Sequence, residues 1–366
     1  MTDRARTGLL ALVVVATGCR ATPLAHELAV GGEREAAHDD AGALAAYTLL
    51  VERCAGQPRE ARAAAAKDDC GQAATRRALL LEAAGRDGEA LEAWLAVTRV
   101  AVESRAIARA LTRAAELLER RGDRARAEQL AWRCMREHPD DVPAEDALRL
   151  AVRLAVARGD RGGLERRLFE LLPAIERRDL ADNVLFALAG SLATHDAVAA
   201  IEAYDRLAAM DKRSSLRDDA LVEAARLLRQ LGRPTEAIGR LRALLATRRD
   251  ALITGSYNSE HLDDAQLLVG EILLDDIGDA RAAKEAFRLL ADDFKDSRLS
   301  DDALVWLARA ELRGAPDAAA RGRACDVLWE LRLRFPDSNQ RRRAEALERE
   351  TGCPDRRPTV STQPRR

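Results

Sequence analysis

Aromatic residues make up only 3% of this 366-residue chain. That is too few for the stacked platforms on which single-stranded nucleic acids or sugars are held. Neither sign of charge is in excess, since 59 basic and 61 acidic residues leave a formal net charge of −2. A dedicated nucleic-acid binder needs a basic face, and this balance excludes one as the main feature. No CxxC occurs, so zinc ribbons and thioredoxin-type redox centres have no sequence basis. HExxH, GxxxxGK[ST], GxSxG and EF-hand loops are absent as well. The five histidines (26, 38, 138, 195 and 261) are scattered, and no segment carries a strand's alternation. Nothing here predicts an enzyme, a cofactor, a metal or a small-molecule substrate. The one cluster that invites an acid–base reading is His195-Asp196 with Glu202, three groups able to move protons.

What the chain does contain is 47% apolar and 33% charged residues, dominated by the helix formers Ala, Leu, Arg and Glu. The first residues, MTDRARTGLLALVVVATGC, place Arg4 and Arg6 before an uncharged run from Gly8 to Gly18. Such a run is too short to span a bilayer and suits the core of an export leader. Ala16-Thr17-Gly18-Cys19 resembles a bacterial lipobox, which implies lipidation of Cys19 after removal of residues 1–18. Each buried CH2 of an acyl chain would contribute roughly 0.8 kcal/mol to anchoring. The alternative is ordinary cleavage near Ala21 and a soluble periplasmic product. Arg20 follows the cysteine, which by resemblance to enterobacterial lipoproteins implies the outer rather than the inner membrane. In an oxidising compartment Cys54–Cys70 and Cys325–Cys353 could each close a loop, with unpaired thiols as the alternative. Cys134 reads as a small buried apolar residue.

The acid–base cluster loses its singularity once the chain is compared with itself. Taking His195 as a turn, the same frame places turns at His38, Gly85, Gly122, Gly159, Gly232 and Gly278, and an eighth at Gly314 or Ala319. Five residues after these turns stand Ala43, Ala90, Ala127, Leu164, Ala200, Ala237, Ala283 and Ala324. Nine after them stand Tyr47, Trp94, Ala131, Leu168, Tyr204, Leu241, Phe287 and Leu328, and twelve after them every residue is apolar or Cys. Turn-to-turn spacings of 47, 37, 37, 36, 37, 46 and 41 residues resemble the tetratricopeptide repeat. Pro139 and Pro336 fit that family's proline, and Lys295 and Val102 depart from it. The resemblance implies an all-α, right-handed superhelical solenoid of about eight helix hairpins over residues 19–351, closed by a polar capping helix within 338–353. Residues 352–366 read as a disordered tail. Asp123, Asp196 and Asp279 suit the N-caps of second helices, and Ser300-Asp301-Asp302 opens the last first helix. The two long spacings hold 54-CAGQPREARAAAAKDDC-70, read as a helix extension pinned by its cysteines, and 250-DALITGSYNSEHLDD-264, read as a loop that includes Tyr257.

In such a solenoid the first helices line a concave groove. Counting back from the turns gives Arg109, Glu116, Arg149, Arg153, Asp182, Asp219, Arg226 and Arg229 as candidate groove residues, a mixed-charge set suited to a protein or peptide partner. The segments 294-FKDSRLSDDALVWLARAELRG-314 and 335-FPDSNQRRRAEAL-347 resemble the helical-repeat proteins of Gram-negative envelopes, of the BamD and YbgF/CpoB types. This implies a non-enzymatic scaffold lipoprotein on the periplasmic side of the outer membrane, binding protein partners. A soluble periplasmic module of the Tol–Pal-associated type, or a non-catalytic subunit of an envelope enzyme complex, is the alternative.

Overall fold

The computed structural model describes residues 23–64, 67–210, 214, 216–254, 261–294, 297–314 and 316–354. The leader, Cys19, Tyr257, Lys295 and the tail from 355 lie outside the described residues. Among them there are eighteen α-helices, one π-helical turn and no strand. The chain divides into two compact units, residues 1–158 and 159–366. The first contains α1 (Pro23–Ala36), α2 (Asp40–Ala55), the short α3 (Arg59–Ala63), α4 (Asp69–Ala83), α5 (Asp87–Val100), α6 (Ser104–Arg120), α7 (Arg124–Glu137) and α8 (Pro143–Arg158). Here α1/α2, α4/α5 and α6/α7 are antiparallel hairpins, each packed on the next. The second contains α9 (Arg161–Ile175), α10 (Ala181–Leu192), α11 (Ala197–Ala208), α12 (Leu216–Gln230), α13 (Pro234–Thr254) and α14 (Leu262–Glu271). A π turn (Ile272–Ile277), α15 (Ala280–Asp293), α16 (Ser300–Glu311), α17 (Ala318–Arg334) and α18 (Arg341–Thr351) complete it. The division falls at Gly159, within what the sequence frame reads as a fourth hairpin.

The repeat columns become the cores of these units. All eight residues five after a turn are buried, as are all eight at nine and all eight at twelve. Alanine at the first column lets the two helices of a hairpin approach, and a larger group there would overpack by roughly 1–3 kcal/mol. The third column closes against the neighbouring hairpin, so no hairpin buries both its faces alone.

Four of the turns follow one construction. Gly122 has φ 83°, and its N–H reaches Glu119 O at 2.9 Å while that of Asp123 reaches Leu118 O at 2.9 Å. This 5→2 and 6→1 pair satisfies the last carbonyls of a helix, and it needs a left-handed residue. Gly85 and Gly232 repeat it, and His38 adopts φ 58° to do the same. His195 does not have a positive φ: its turn closes instead through Asp196 N to Leu192 O at 2.7 Å. At the eighth turn the two sequence alternatives divide the work. Gly314 takes the left-handed conformation, while Ala319 sets the frame of buried Ala324, Leu328 and Leu331. Asp39, Asp123, Asp160, Asp196, Asp279 and Asp317 each accept the N–H three residues on, capping the second helices at 2.6–3.2 Å. Each such cap stabilises by about 1 kcal/mol.

Three expectations are corrected. The 54–70 insertion does not extend a helix; it ends α2, forms α3 and restarts at α4. Residues 250–254 continue α13 rather than forming a loop, and 255–260 lie outside the described residues. Gly352 and Cys353, read as the start of a disordered tail, are instead structured: Gly352 is the left-handed C-cap of α18, and Cys353 is bonded to Cys325.

Candidate functional site

The sequence-selected groove residues all lie on first helices, four in each unit. In the first unit Arg109 and Arg149 are exposed, on α6 and α8. Arg149 pairs within its own helix, with Asp146 and with Glu145 at 3.8 Å. Glu116 accepts from Arg113 at 2.5 Å. Arg153 of α8 reaches back to Glu119 of α6 at 2.7 and 3.1 Å. Arg113 also reaches Glu82 of α4 at 2.9 Å, so these charges stitch α4 to α6 and α6 to α8. In the second unit Arg229 of α12 bridges to Glu271 at 3.1 Å and to Asp276 at 2.6 Å. Asp219 pairs with His261 at 2.8 Å. Asp182 accepts from Ser214 Oγ at 2.5 Å. Arg226 is exposed and pairs only locally, with Glu223 at 2.5 Å. Each unit therefore uses part of the candidate set to join its own helices and leaves Arg109, Arg149 and Arg226 turned to solvent.

A second polar feature escaped the sequence reading. A carboxylate at or near the start of a first helix accepts a hydrogen bond from the chain that leads into the next one. Asp68 takes the N–H groups of Val102 and Glu103 at 2.9 and 3.0 Å. Asp263 takes Ser297 Oγ at 2.6 Å and Asp301 takes Ser338 Oγ at 2.5 Å. The same serine oxygens accept the N–H two residues on, at 2.9 Å for both Leu299 and Gln340. The serines of the Asp-Ser dipeptides that carry the envelope-protein resemblance, Ser297 and Ser338, thus clasp successive repeats. Their one visible signal was the recurrence of DS one unit apart, at 296–297 and 337–338.

The chemistry-bearing constellations resolve into structure. His195 Nε2 contacts Glu165 of α9 at 2.9 Å, and the same oxygen accepts Ser191 Oγ at 2.6 Å. Asp196 is an N-cap and Glu202 is exposed. The proposed acid–base trio is therefore a turn, a cap and a solvated side chain. Ser104, His138 and Asp141 do meet, with Ser104 Oγ 2.7 Å from His138 Nδ1 and 2.5 Å from Asp141 Oδ2. A hydroxyl has one hydrogen to give. Here it goes to the carboxylate, and the imidazole stands 3.9 Å from Asp141, so the order of contacts that activates a serine through a histidine is not present. Burial holds the His138 pKa below its ordinary value. Among the described residues no group of three His, Cys, Asp or Glu is placed to hold a metal, and no helix is long and apolar enough to cross a membrane.

Both cysteine pairs are bonded, Cys54 to Cys70 with Cα atoms 5.8 Å apart and Cys325 to Cys353 at 5.5 Å. Cys134 is free and buried, accepting or donating to Thr112 Oγ1 at 3.5 Å. Inside the Cys54–Cys70 segment, Arg62 is buried and donates to Cys54 O and Arg99 O at 3.0 Å each, and also to Gln57 O. Its charge is placed among the carbonyls that end α2 and α5, where a helix dipole favours a cation.

No family model matches the chain, and no curated protein matches it. Solved structures do. PilF of Pseudomonas aeruginosa is similar at 15% identity over 67% of this chain and 99% of that one, with a TM-score of 0.40. A STAND ATPase with a tetratricopeptide-repeat sensor from Pyrococcus horikoshii is similar at 13% identity, covering 87% of this chain and 48% of that one, TM-score 0.46. The C-terminal part of a TPR repeat-containing protein from Cytophaga hutchinsonii is similar at 12% identity over 82% and 99%, TM-score 0.41. The protein is an all-α helical-repeat protein, a class fixed by its own hairpin geometry rather than by these similarities.

Proposed function

We propose that the chain is a non-enzymatic scaffold that binds protein partners through the exposed faces of its first helices, exported and held by a lipid on Cys19 at the periplasmic side of the outer membrane. The observation that carries the binding reading is the division of labour within each unit. The apolar columns are consumed inside the helix stack, and Arg109, Arg149 and Arg226 project from first helices with no carboxylate of a neighbouring repeat against them among the described residues. Exposed positive charge of this kind gives orientation and partner choice more than raw affinity. The anchor rests on the sequence alone, on the apolar run to Gly18 and the ATGC ending at Cys19.

The two halves of the reading are tested separately. A photo-crosslinking amino acid at position 109 or 226 should give a discrete adduct from envelope membranes, and one at exposed Arg126 on second helix α7 should not. Equal adducts at all three sites, or none, would overturn the binding reading. Radiolabelled palmitate should enter the wild type and not Cys19→Ala, and equal labelling would remove the anchor while leaving the binding surface untouched.

A further inference from the structure

Among the described residues two helices lie outside the repeat frame, α3 within the loop that Cys54–Cys70 closes and α18 tied at its end by Cys325–Cys353, and neither has an apolar core of its own. In α3 the one buried residue is Arg62. In the eleven residues of α18 it is Ala344. Every helix of the repeats proper from α2 to α17, apart from the partly described α13, buries several apolar side chains. What retains α18 is polar or covalent. Arg332 pairs with Glu348, Ser338 clasps Asp301, and Cys353, two residues past the helix, is bonded to Cys325 of α17.

The disulfides differ in access. Cys54 and Cys70 are 0% and 4% exposed. Cys325 is 9% exposed, and Cys353 is half-buried between exposed Gly352 and exposed Pro354. Both of the latter open on a cavity of about 310 Å³ whose wall also includes Trp329, Arg332, Glu348 and Arg349. Thiol–disulfide exchange requires approach to a sulfur and a leaving group stabilised as thiolate. The cavity supplies the approach.

We propose that Cys325–Cys353 is an exchangeable latch, opened by a dithiol reductant that enters this cavity, and that opening it releases α18 from the end of the second unit. The thiolate of the dithiol attacks Cys353 Sγ, the more accessible sulfur. A bond forms between them, the Cys325–Cys353 bond breaks, and its electron pair leaves on Cys325, which takes a proton from solvent. The second thiol of the reductant then attacks its partner sulfur and displaces Cys353, which is protonated in turn. The dithiol ends as a disulfide, two electrons poorer, and the chain ends with two thiols. Cys54–Cys70 is untouched, being closed to approach. Freed of its covalent tie, α18 keeps one buried alanine, the half-buried Leu347, the Arg332–Glu348 pair and the Ser338–Asp301 clasp at its entry, and loses the covalent bond that fixes its C-terminal end. The inference is independent of where the protein resides and of what its first helices bind.

The experiment uses the full chain in its oxidised form. Free thiols are first blocked with iodoacetamide, dithiothreitol is titrated in at neutral pH, and newly exposed thiols are tagged with a heavier alkylating reagent and read by mass spectrometry. Cys325 and Cys353 should be tagged at a dithiothreitol concentration at least about tenfold below that needed for Cys54 and Cys70, because exchange depends on access. In that singly reduced protein, amide exchange across 342–351 should accelerate by about tenfold or more while α16 and α17 keep their protection. Cys325→Ser/Cys353→Ser should reproduce that exchange pattern without any reductant. Simultaneous or reversed reduction of the two bonds would overturn the access step. Unchanged protection of α18 in the singly reduced protein would overturn the latch, whether or not the double variant folds.

Discussion

Gly270 is expected to be irreplaceable for a reason that concerns its neighbour rather than its own backbone. It lies in α14 facing Phe287 of α15. A methyl group at Gly270 would sit 2.3 Å from Phe287 Cε1, 2.6 Å from Cδ1 and 2.7 Å from Cζ. Carbon atoms in contact rest at about 3.5–4.0 Å, so the ring would have to retreat by more than an ångström. It has nowhere to go, being fully buried and stacked on Trp306 with centroids 5.8 Å apart. Overpacking of this kind costs roughly 1–3 kcal/mol, against a helix-propensity gain of about 1 kcal/mol for Gly→Ala. Gly270→Ala should therefore be net destabilising, by up to about 2 kcal/mol. The control is Gly239→Ala in α13, where the added methyl meets nothing within 4 Å and the propensity gain should appear undiminished. The Phe287→Leu background decides the cause, since the smaller side chain vacates the space and Gly270→Ala should there become neutral or stabilising. Thermal midpoints resolve this, because 1 kcal/mol moves a unit of 150–250 residues by about 2–4 °C. The reasoning fails if Gly270→Ala raises the midpoint as Gly239→Ala does, or if the two substitutions at 270 and 287 simply add.

Gly122→Ala should cost about 1–2 kcal/mol, because the left-handed turn penalises a Cβ whatever the space around it; a loss under a few tenths in urea titration would contradict the turn geometry. Ser338→Ala and Asp301→Ala should each destabilise by about 0.5–1.5 kcal/mol and show clear coupling in a double-mutant cycle, since they remove the same hydrogen bond. Alkaline pH should weaken the fold in two overlapping stages. Burial, aided by nearby carboxylates, pushes Tyr47 and Tyr204 up to about 12 and Cys134 up to about 11. The unfolded chain gives up these protons at lower pH, so their contribution is whole below the unfolded pKa and is lost as pH rises through the folded one. The window runs from the ordinary values of 9.0 for Cys and 10.0 for Tyr up to those folded values. Cys134→Ala should flatten the lower part of the stability–pH curve, and an unchanged slope between pH 9 and 11 would remove Cys134 from the account.

Periodicity made the cores legible. A column such as Ala43, Ala90, Ala127 and Ala200 is visible because each position faces the same kind of neighbour in every hairpin. Caps were legible for the same reason, since Asp123 and Asp279 act on N–H groups three residues away. What stayed hidden depends on partners a full repeat apart. Asp301 does not announce Ser338, and Glu82 does not announce Arg113, because nothing local distinguishes them from solvated charges. His195 misled in the opposite direction: it occupies the turn slot yet closes its turn without the left-handed conformation. Gly31 and Gly270, which make room for the rings of Tyr47 and Phe287, were legible in principle as small residues standing seven or eight places before a turn. The groove candidates lie on first helices, but Arg153 and Arg229 are engaged with neighbouring helices and Asp182 with Ser214 of the chain leading into α12.

The π turn at Ile272–Ile277 has a consequence for how this chain tolerates change in length. One extra residue in an α-helix rotates everything beyond it by about 100°, which would swing α15 and its buried Phe287 off the core. Here Asp279 N bonds to Leu273 O, six residues back, at 2.8 Å, where the turns at His38, Gly85, Gly122 and Gly232 span five. The surplus residue is absorbed within that wider loop of backbone, and Gly278 resumes the common turn with φ 82°. The phase error is corrected before it can propagate, so an insertion survives as a local bulge rather than as a misaligned repeat.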